Sequence, residues 1–270
     1  MTDGQDDHRD PEIMFARALH AHHDGDAGIH EDHEKAQEFF QTSMMSALLN
    51  GVYDGEMTFA ELARHGDFGL GTFNALDGEM ILIDGDFYAL RADGKAHAVQ
   101  PDWKTPFSSV MFFEAELEQE IDGPMDRAAF ERLLDQVAPK RNGFYAVRVD
   151  GLFSQVEVRT VPRQEKPYPP LVEVVKNQPV FEYREIRGSL IGFRLPDYTV
   201  GINIPGYHLH FIDDARTCGG HMTAFTIAEG RLAIDHTINL HLELPQHSDA
   251  FDGADLAGGD LHKDIQTTES

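Results

Sequence analysis

The 270-residue sequence has few of the features that mark secreted, membrane-spanning or cysteine-rich proteins. It contains one cysteine, Cys218, which excludes an internal disulfide and any cage of cysteine ligands around a metal. No apolar run approaches the roughly 20 residues that span a bilayer. The acidic start, Met1 to Asp7, lacks the basic-then-apolar order of a signal peptide. We therefore expect a cytoplasmic protein.

Basic side chains are also scarce. Lys and Arg together number 22 against 47 Asp and Glu, which gives a formal net charge of -25 at pH 7. Nucleic acids and anionic membrane surfaces attract proteins through clustered positive charge, so the composition argues against both as partners. Our hypothesis for the acidic surface is that its solvated charges keep the protein soluble at high salt.

Composition and periodicity divide the chain into four segments. Residues 1–37 form an acidic, histidine-rich extension, and residues 248–270 form an acidic tail. Between them, residues 38–177 mix short helices with strands, whereas residues 178–247 are almost entirely strand. We predict an α/β fold of the α+β type with two domains that meet near Asn177. The first has a mixed β-sheet, and the second is mostly β, barrel-like and metal-binding.

Local signals place several elements within these segments. Asp-Gly between apolar runs is a strong hairpin signal, and it occurs at Asp84-Gly85 and at Asp150-Gly151. The second pair is expected to join strands 144–149 and 152–159. Asp126 is expected to cap a helix whose apolar residues have helical spacing. Further separate strands are expected at 180–187, 189–195, 208–213, 221–228, 231–236 and 238–244.

Two histidines lie two residues apart in Ile204–Asp213, a segment whose β-branched and aromatic residues predict a strand. Alternate residues of a strand point to the same face, so His208 and His210 aim at one point. A return strand that begins at the two glycines before His221 would bring a third imidazole alongside. Three neutral histidines and an open fourth position are typical of a catalytic zinc site. The alternative is a half-buried strand whose histidines have no metal role.

Arg159 and Glu79 are candidate partners of such a site. Arg159 ends a predicted strand, and its guanidinium can bind a carboxylate through two hydrogen bonds; the alternative is a surface salt bridge. Glu79 leads into a hydrophobic strand, where burial can raise its pKa and let it transfer protons; the alternative is ordinary strand-end polarity. His241 and Glu243 repeat the two-residue spacing, as a rival site or an outer layer of the same one.

Long stretches of the sequence match those of one enzyme family, in the same order, from about residue 40 to residue 247. The stretches are Thr42–Gly55, His65–Asn74, Leu76–Met80, Lys104–Phe107, Arg159–Leu171, Pro205–Ile212 and Gly219–His221. On these stretches the chain resembles the α-acetolactate decarboxylase family, whose members make acetoin.

The resemblance implies both a site and a reaction. The implied zinc ligands are His208, His210 and His221. The implied catalytic arginine is Arg159, and the implied active-site glutamate is Glu79. The implied C-terminal glutamate that reaches the site is Glu269. The implied cofactor is zinc (Zn2+), and the small-molecule substrate is (S)-2-acetolactate. The implied products are (R)-acetoin and CO2, formed through a metal-stabilised enediolate without thiamine or pyridoxal. The family also implies a two-domain α/β fold with β-sheet in both parts, and a homodimer.

A cupin-like metal-dependent oxygenase or isomerase is the rival enzyme class, because those barrels also carry His-x-His on a strand. The acid expected shortly after the second histidine is matched only approximately, by Asp213 and Asp214. A non-enzymatic module that binds zinc through the N-terminal histidines is a third interpretation. Oxygen dependence separates the two enzyme classes, since the decarboxylation needs no oxygen.

Overall fold

The computed structural model describes residues 38–269, so the predicted histidine-rich extension lies outside the described residues. The described residues belong to one compact unit. None of the helices that they form has the length and apolar character that crossing a membrane requires.

Strands outnumber helices, and the fold of the described residues is of the mixed α+β class. The strands are β1 (Glu38–Thr42), β2 (Met57–Thr58), β3 (Phe68–Thr72), β4 (Glu79–Ile83), β5 (Asp86–Leu90), β6 (Ala96–Ala98), β7 (Lys104–Thr105), β8 (Ser108–Met111), β9 (Leu117–Asp126), β10 (Phe144–Arg159), β11 (Val180–Leu195), β12 (Gly206–Asp213), β13 (Gly219–Thr237) and β14 (Asn239–Glu243). The helices are α1 (Met45–Leu49), α2 (Phe59–Leu62), α3 (Arg127–Val137), α4 (Leu171–Val174), α5 (Asp249–Asp252) and α6 (Leu261–Glu269).

The larger sheet has seven strands in the order β14-β1-β8-β3-β4-β5-β6. Strands β14 and β1 are parallel, and the other neighbours are antiparallel. Asp84 and Gly85 form the tight turn between β4 and β5, both with positive φ, as the hairpin signal predicts. The turn places Glu79 at the opposite end of β4, where the strand begins.

The second sheet has five antiparallel strands in the order β10-β11-β12-β13-β9. Because β10 also pairs with β13, the strands β10 to β13 pair in a closed ring. Aromatic side chains such as Phe153 and Phe211 fill its core. Helix α3 packs Phe130 and Leu134 against the same core, and Asp126 caps it by accepting a hydrogen bond from the Ala129 amide, as predicted.

Three strands of this sheet are longer than the sequence predicts. Strand β10 continues through Asp150-Gly151, so the predicted hairpin there is wrong. Strand β11 likewise continues through Gly188, and strand β13 continues through Gly230. Gly151 pairs with Gly188 on one side and with Gly230 on the other. A Cβ atom on Gly151 would lie 2.3 Å from the carbonyl oxygen of Glu229. These glycines therefore allow neighbouring strands to approach closely, and none of them ends a strand.

The two sheets do not divide at Asn177. Strand β14 comes from after this residue and joins the seven-stranded sheet, whereas β9 and β10 come from before it and join the other sheet. The C-terminal segment, expected only as an acidic tail, forms helices α5 and α6, which bury Phe251 and Ile265. Helix α6 thereby reaches the region where the predicted site residues meet.

Candidate active site

Strand β12 presents His208 and His210 on one face, as the two-residue period predicts. Leu209 and Phe211, which alternate with them, are buried in the core of the strand ring. Strand β12 pairs with β13 so that His210 lies directly opposite His221. All three histidines are buried. The structure therefore brings the three predicted ligands to one place through sheet register alone.

The three histidines lie close enough together to hold a metal ion. One ring nitrogen of each lies within 4.8 Å of the others. Nδ1 of His210 lies 3.0 Å from the carbonyl oxygen of Met80. Because a carbonyl oxygen only accepts, Nδ1 carries the proton and Nε2 keeps its lone pair. That Nε2 is buried and has no hydrogen-bond partner among residues 38–269. A buried lone pair of this kind fits a divalent metal ion as its partner.

Burial also sets the charge of the cluster. Loss of solvation lowers the pKa of His210 to about 3 and the pKa values of His208 and His221 well below the usual 6.5. The positive charge of Arg159 lowers all three pKa values further. The imidazoles are therefore neutral near pH 7, and the neutral ring is the form that binds metals.

Two glutamates lie close to the histidines. Oε2 of Glu79 lies 3.7 Å from Nε2 of His210, and Oε2 of Glu269 lies 3.7 Å from Nε2 of His208 and from Nδ1 of His221. Burial raises the pKa of Glu79 to about 7 and that of Glu269 to about 8, against the opposing charge of the nearby Arg159. Both carboxyl groups are thus able to hold or release a proton near neutral pH.

Arg159 is the last residue of β10 and pairs with His221 in the register of β10 and β13. Its side chain is buried, which excludes the surface salt bridge considered from the sequence. The guanidinium donates a hydrogen bond through Nη2 to the backbone carbonyl of Thr268. A guanidinium carries five N–H donors in a planar fork, and that fork matches the geometry of a carboxylate.

A cavity adjoins the cluster and combines a polar end with an apolar wall. Its polar lining includes Glu79, Arg159, His208, His221 and Glu269. Its apolar lining includes Met45, Leu48, Leu76, Phe107, Val161, Leu171, Val175 and Ile204. Such a cavity suits a small anion that also carries short alkyl groups.

Sequence reasoning missed two contributors to this site. Thr72 lines the cavity, lies opposite Glu79 in the pairing of β3 and β4, and donates a hydrogen bond to the Gly78 carbonyl. Its strand was not predicted, because two glycines interrupt the apolar pattern. The Thr268 carbonyl holds Arg159, and a backbone acceptor leaves no signal in residue type.

The rival candidates lie elsewhere. His241 is half exposed on β14, where its Nδ1 lies 3.1 Å from Glu38. The carboxylate of Asp213 accepts hydrogen bonds from Thr217 and from the Cys218 amide within a turn. Within residues 38–269, the group of His, Cys, Asp and Glu side chains close enough to hold a metal is the histidine cluster. Of the two acids that come close to the cupin-like pattern, Asp213 is therefore engaged in turn formation, and Asp214 is exposed.

Comparison with known proteins shows which family the chain is similar to. The family model described as alpha-acetolactate decarboxylase matches residues 39–258. Alpha-acetolactate decarboxylase from Methylococcus capsulatus is 52% identical, over 84% of this chain and 86% of the relative. The enzyme of that name from Bacillus subtilis strain 168 is 47% identical, over 87% of this chain and 92% of the relative.

The fold gives the same result. The crystal structure of alpha-acetolactate decarboxylase from Bacillus subtilis strain 168 superimposes with a TM-score of 0.84. The match is 47% identical and covers 86% of this chain and 99% of the crystallised chain. Because sequence identity and fold agree over most of both chains, the protein is an enzyme that belongs to the alpha-acetolactate decarboxylase family.

Proposed function

We propose that this enzyme binds zinc (Zn2+) through His208, His210 and His221 and decarboxylates (S)-2-acetolactate to (R)-acetoin and CO2. The observation that carries the proposal is the buried cluster of three neutral imidazoles, faced by two carboxyl groups and one guanidinium at the end of a small cavity. Bound zinc would supply Lewis acidity toward the ketone and hydroxyl oxygens of the substrate.

Arg159 would bind the substrate carboxylate. Its guanidinium fits a carboxylate with two parallel hydrogen bonds, and its buried position strengthens them. The contact with the Thr268 carbonyl fixes the guanidinium plane. A fixed plane can hold the breaking C–C bond perpendicular to the neighbouring carbonyl, so that its electron pair passes into the ketone and yields an enediolate.

Glu79 and Glu269 would move the protons. The reaction releases CO2 and leaves an electron pair that takes up one proton at the carbon that carried the carboxylate. The raised pKa values of about 7 and 8 allow each glutamate to be protonated near neutral pH. Glu79 would accept the proton of the substrate hydroxyl. Glu79, together with Glu269, would deliver a proton to one face of the enediolate. Since the β-keto acid is its own electron sink, the reaction needs no organic cofactor.

The test is incubation with racemic acetolactate under anaerobic conditions, with and without a chelator, while CO2 and acetoin are measured. The proposal predicts equimolar CO2 and acetoin, loss of both with the chelator, and recovery when zinc is added back. Activity that requires oxygen would favour the oxygenase instead.

We further propose that the enzyme acts in the cytoplasm as a homodimer. Strand β14 is outermost in the seven-stranded sheet, and its second edge has no partner strand within the described part of the chain. Ile238, Leu240 and Leu244, in and beside this strand, are exposed apolar side chains. Light scattering should give twice the chain mass for the wild type and a smaller mass for Leu240→Lys; a monomeric wild type would contradict the proposal.

A further inference from the structure

Helix α6 forms one side of the site, and its buried apolar side chain, Ile265, packs it against the rest of the enzyme. The helix packs against α1 and α4. Ile265 is 4% exposed and belongs to a buried cluster that includes Leu48, Leu171 and Ile204. These three cluster members also line the site cavity. The same apolar surface therefore seats the helix and forms the wall of the cavity.

The rest of α6 offers little further apolar surface to hold it in place. A helix of nine residues is marginal on its own and depends on tertiary packing. His262, Lys263, Gln266 and Thr267 are exposed, and the other apolar residue, Leu261, is only half-buried at the edge of the cluster. Ile265 thus provides most of the apolar burial by which the helix docks.

Two polar contacts to the site begin one helical turn after this residue. The Thr268 carbonyl accepts a hydrogen bond from Arg159. The Glu269 carboxylate lies 3.7 Å from nitrogens of His208 and His221. Residues three and four positions apart share one face of a helix, so displacement of Ile265 also displaces Thr268 and Glu269.

We propose that Ile265 is a positioning residue for the reaction, one that docks α6 so that the Thr268 carbonyl orients Arg159 and the Glu269 carboxylate faces the histidines. The inference rests on the proposed function, because it requires Arg159 and Glu269 to act on the substrate. Ile265 itself would act only through these two groups.

The first comparison sets Ile265→Ala against Gln266→Ala, an exposed neighbour on the same helix. We expect Ile265→Ala to lower kcat by about 10- to 100-fold, since a shift of about 1 Å at a site can cost that much. Amide hydrogen exchange in residues 261–269 should become faster, while zinc content stays unchanged because the three histidines lie on β12 and β13. Gln266→Ala should change none of these quantities.

The second comparison is a double-mutant cycle with Glu269→Gln. If Ile265 acts largely through Glu269, the double variant should be little slower than Glu269→Gln alone, whereas independent effects would multiply. Ile265→Val, which leaves a smaller cavity, should give an intermediate kcat and serves in place of the alanine variant if that variant does not fold.

The outcomes separate this inference from the proposed function. Faster exchange in 261–269 with unchanged kcat would overturn the role of Ile265 and leave the proposed function intact. Multiplied losses in the double variant would overturn its action through Glu269 and would likewise leave the proposed function intact. A fully active Glu269→Gln would refute the proposed role of Glu269, and the inference would fall with it.

Discussion

His210 and His221 are direct partners across the antiparallel strands β12 and β13. On the other side of β13, His221 is the register partner of Arg159 on β10. Two histidines and the arginine therefore form one row across three hydrogen-bonded strands. Sheet register fixes their spacing more rigidly than a loop would, and such rigidity holds catalytic groups in a productive geometry before the substrate arrives.

Arg159→Ala should retain zinc but lower the rate by on the order of 10²-fold or more, because the substrate carboxylate loses its orienting partner. Arg159→Lys should recover little, since an ammonium group lacks the planar fork. The measurements are kcat/KM and zinc per chain, with Arg187→Ala, an exposed arginine paired with Glu229, as the control. Normal turnover in Arg159→Ala would remove Arg159 from the mechanism.

Asp235 should make stability depend on pH. It is buried on β13, and although the amides of Glu114 and His236 donate to its carboxylate, burial raises its pKa from 3.8 to about 6. A raised pKa means that its contribution to stability is fully present below pH 3.8 and is lost as the pH rises through 6.

The check is urea unfolding at pH 4 to 7 of the wild type and Asp235→Asn, whose side chain does not titrate. The free energy of unfolding of the wild type relative to the variant should fall by on the order of 2 kcal/mol across this range. A difference that is constant with pH would show that Asp235 has an ordinary pKa.

Gly151→Ala should destabilise the fold by on the order of 2 kcal/mol or more, because the new methyl group would lie 2.3 Å from the Glu229 carbonyl oxygen and force β10 away from β13. Gly143→Ala is the matched control, since its Cβ would meet the nearest atom at 3.4 Å, an ordinary contact. Thermal unfolding of both variants measures the effect. Equal melting temperatures would contradict close strand approach at Gly151.

Molar salt should raise the melting temperature of this protein. At a net charge of -25, repulsion among acidic side chains opposes the folded state, and salt screens it. Thermal unfolding in dilute buffer and in molar sodium chloride provides the measurement. Equal stability in the two solvents would refute the hypothesis that the acidic surface is an adaptation to salt.

The sequence predicts short-range features of this fold well. The turn at Asp84-Gly85, the helix capped by Asp126 and the alternation of His208 and His210 on β12 each depend on a few neighbouring residues. The sequence does not predict where long strands cross. Gly151 occurs after an aspartate, as in a hairpin turn, but pairs with Gly188 and Gly230 inside a sheet, which only the tertiary structure reveals.

For the candidate site too, the sequence predicts the local spacing of residues but not their contacts across distant strands and helices. The spacing of His208 and His210 indicates a metal site, but the pairing of His221 with Arg159 depends on register between strands more than 60 residues apart. The approach of Glu269 depends on how helix α6 docks through Ile265. The family resemblance indicated Arg159, Glu79 and Glu269 as site residues. Residue patterns alone left two alternatives open, a surface salt bridge for Arg159 and strand-end polarity for Glu79.

Zinc titration of metal-free enzyme, wild type and His210→Ala, tests the central claim most directly, with activity on acetolactate measured at each point. The account predicts that wild-type activity rises linearly to one zinc per chain, and that His210→Ala gains neither tightly bound zinc nor activity. His241→Ala, a half-exposed histidine on β14, should behave as the wild type does. Full turnover by metal-free wild type, or by His210→Ala without zinc, would contradict the account.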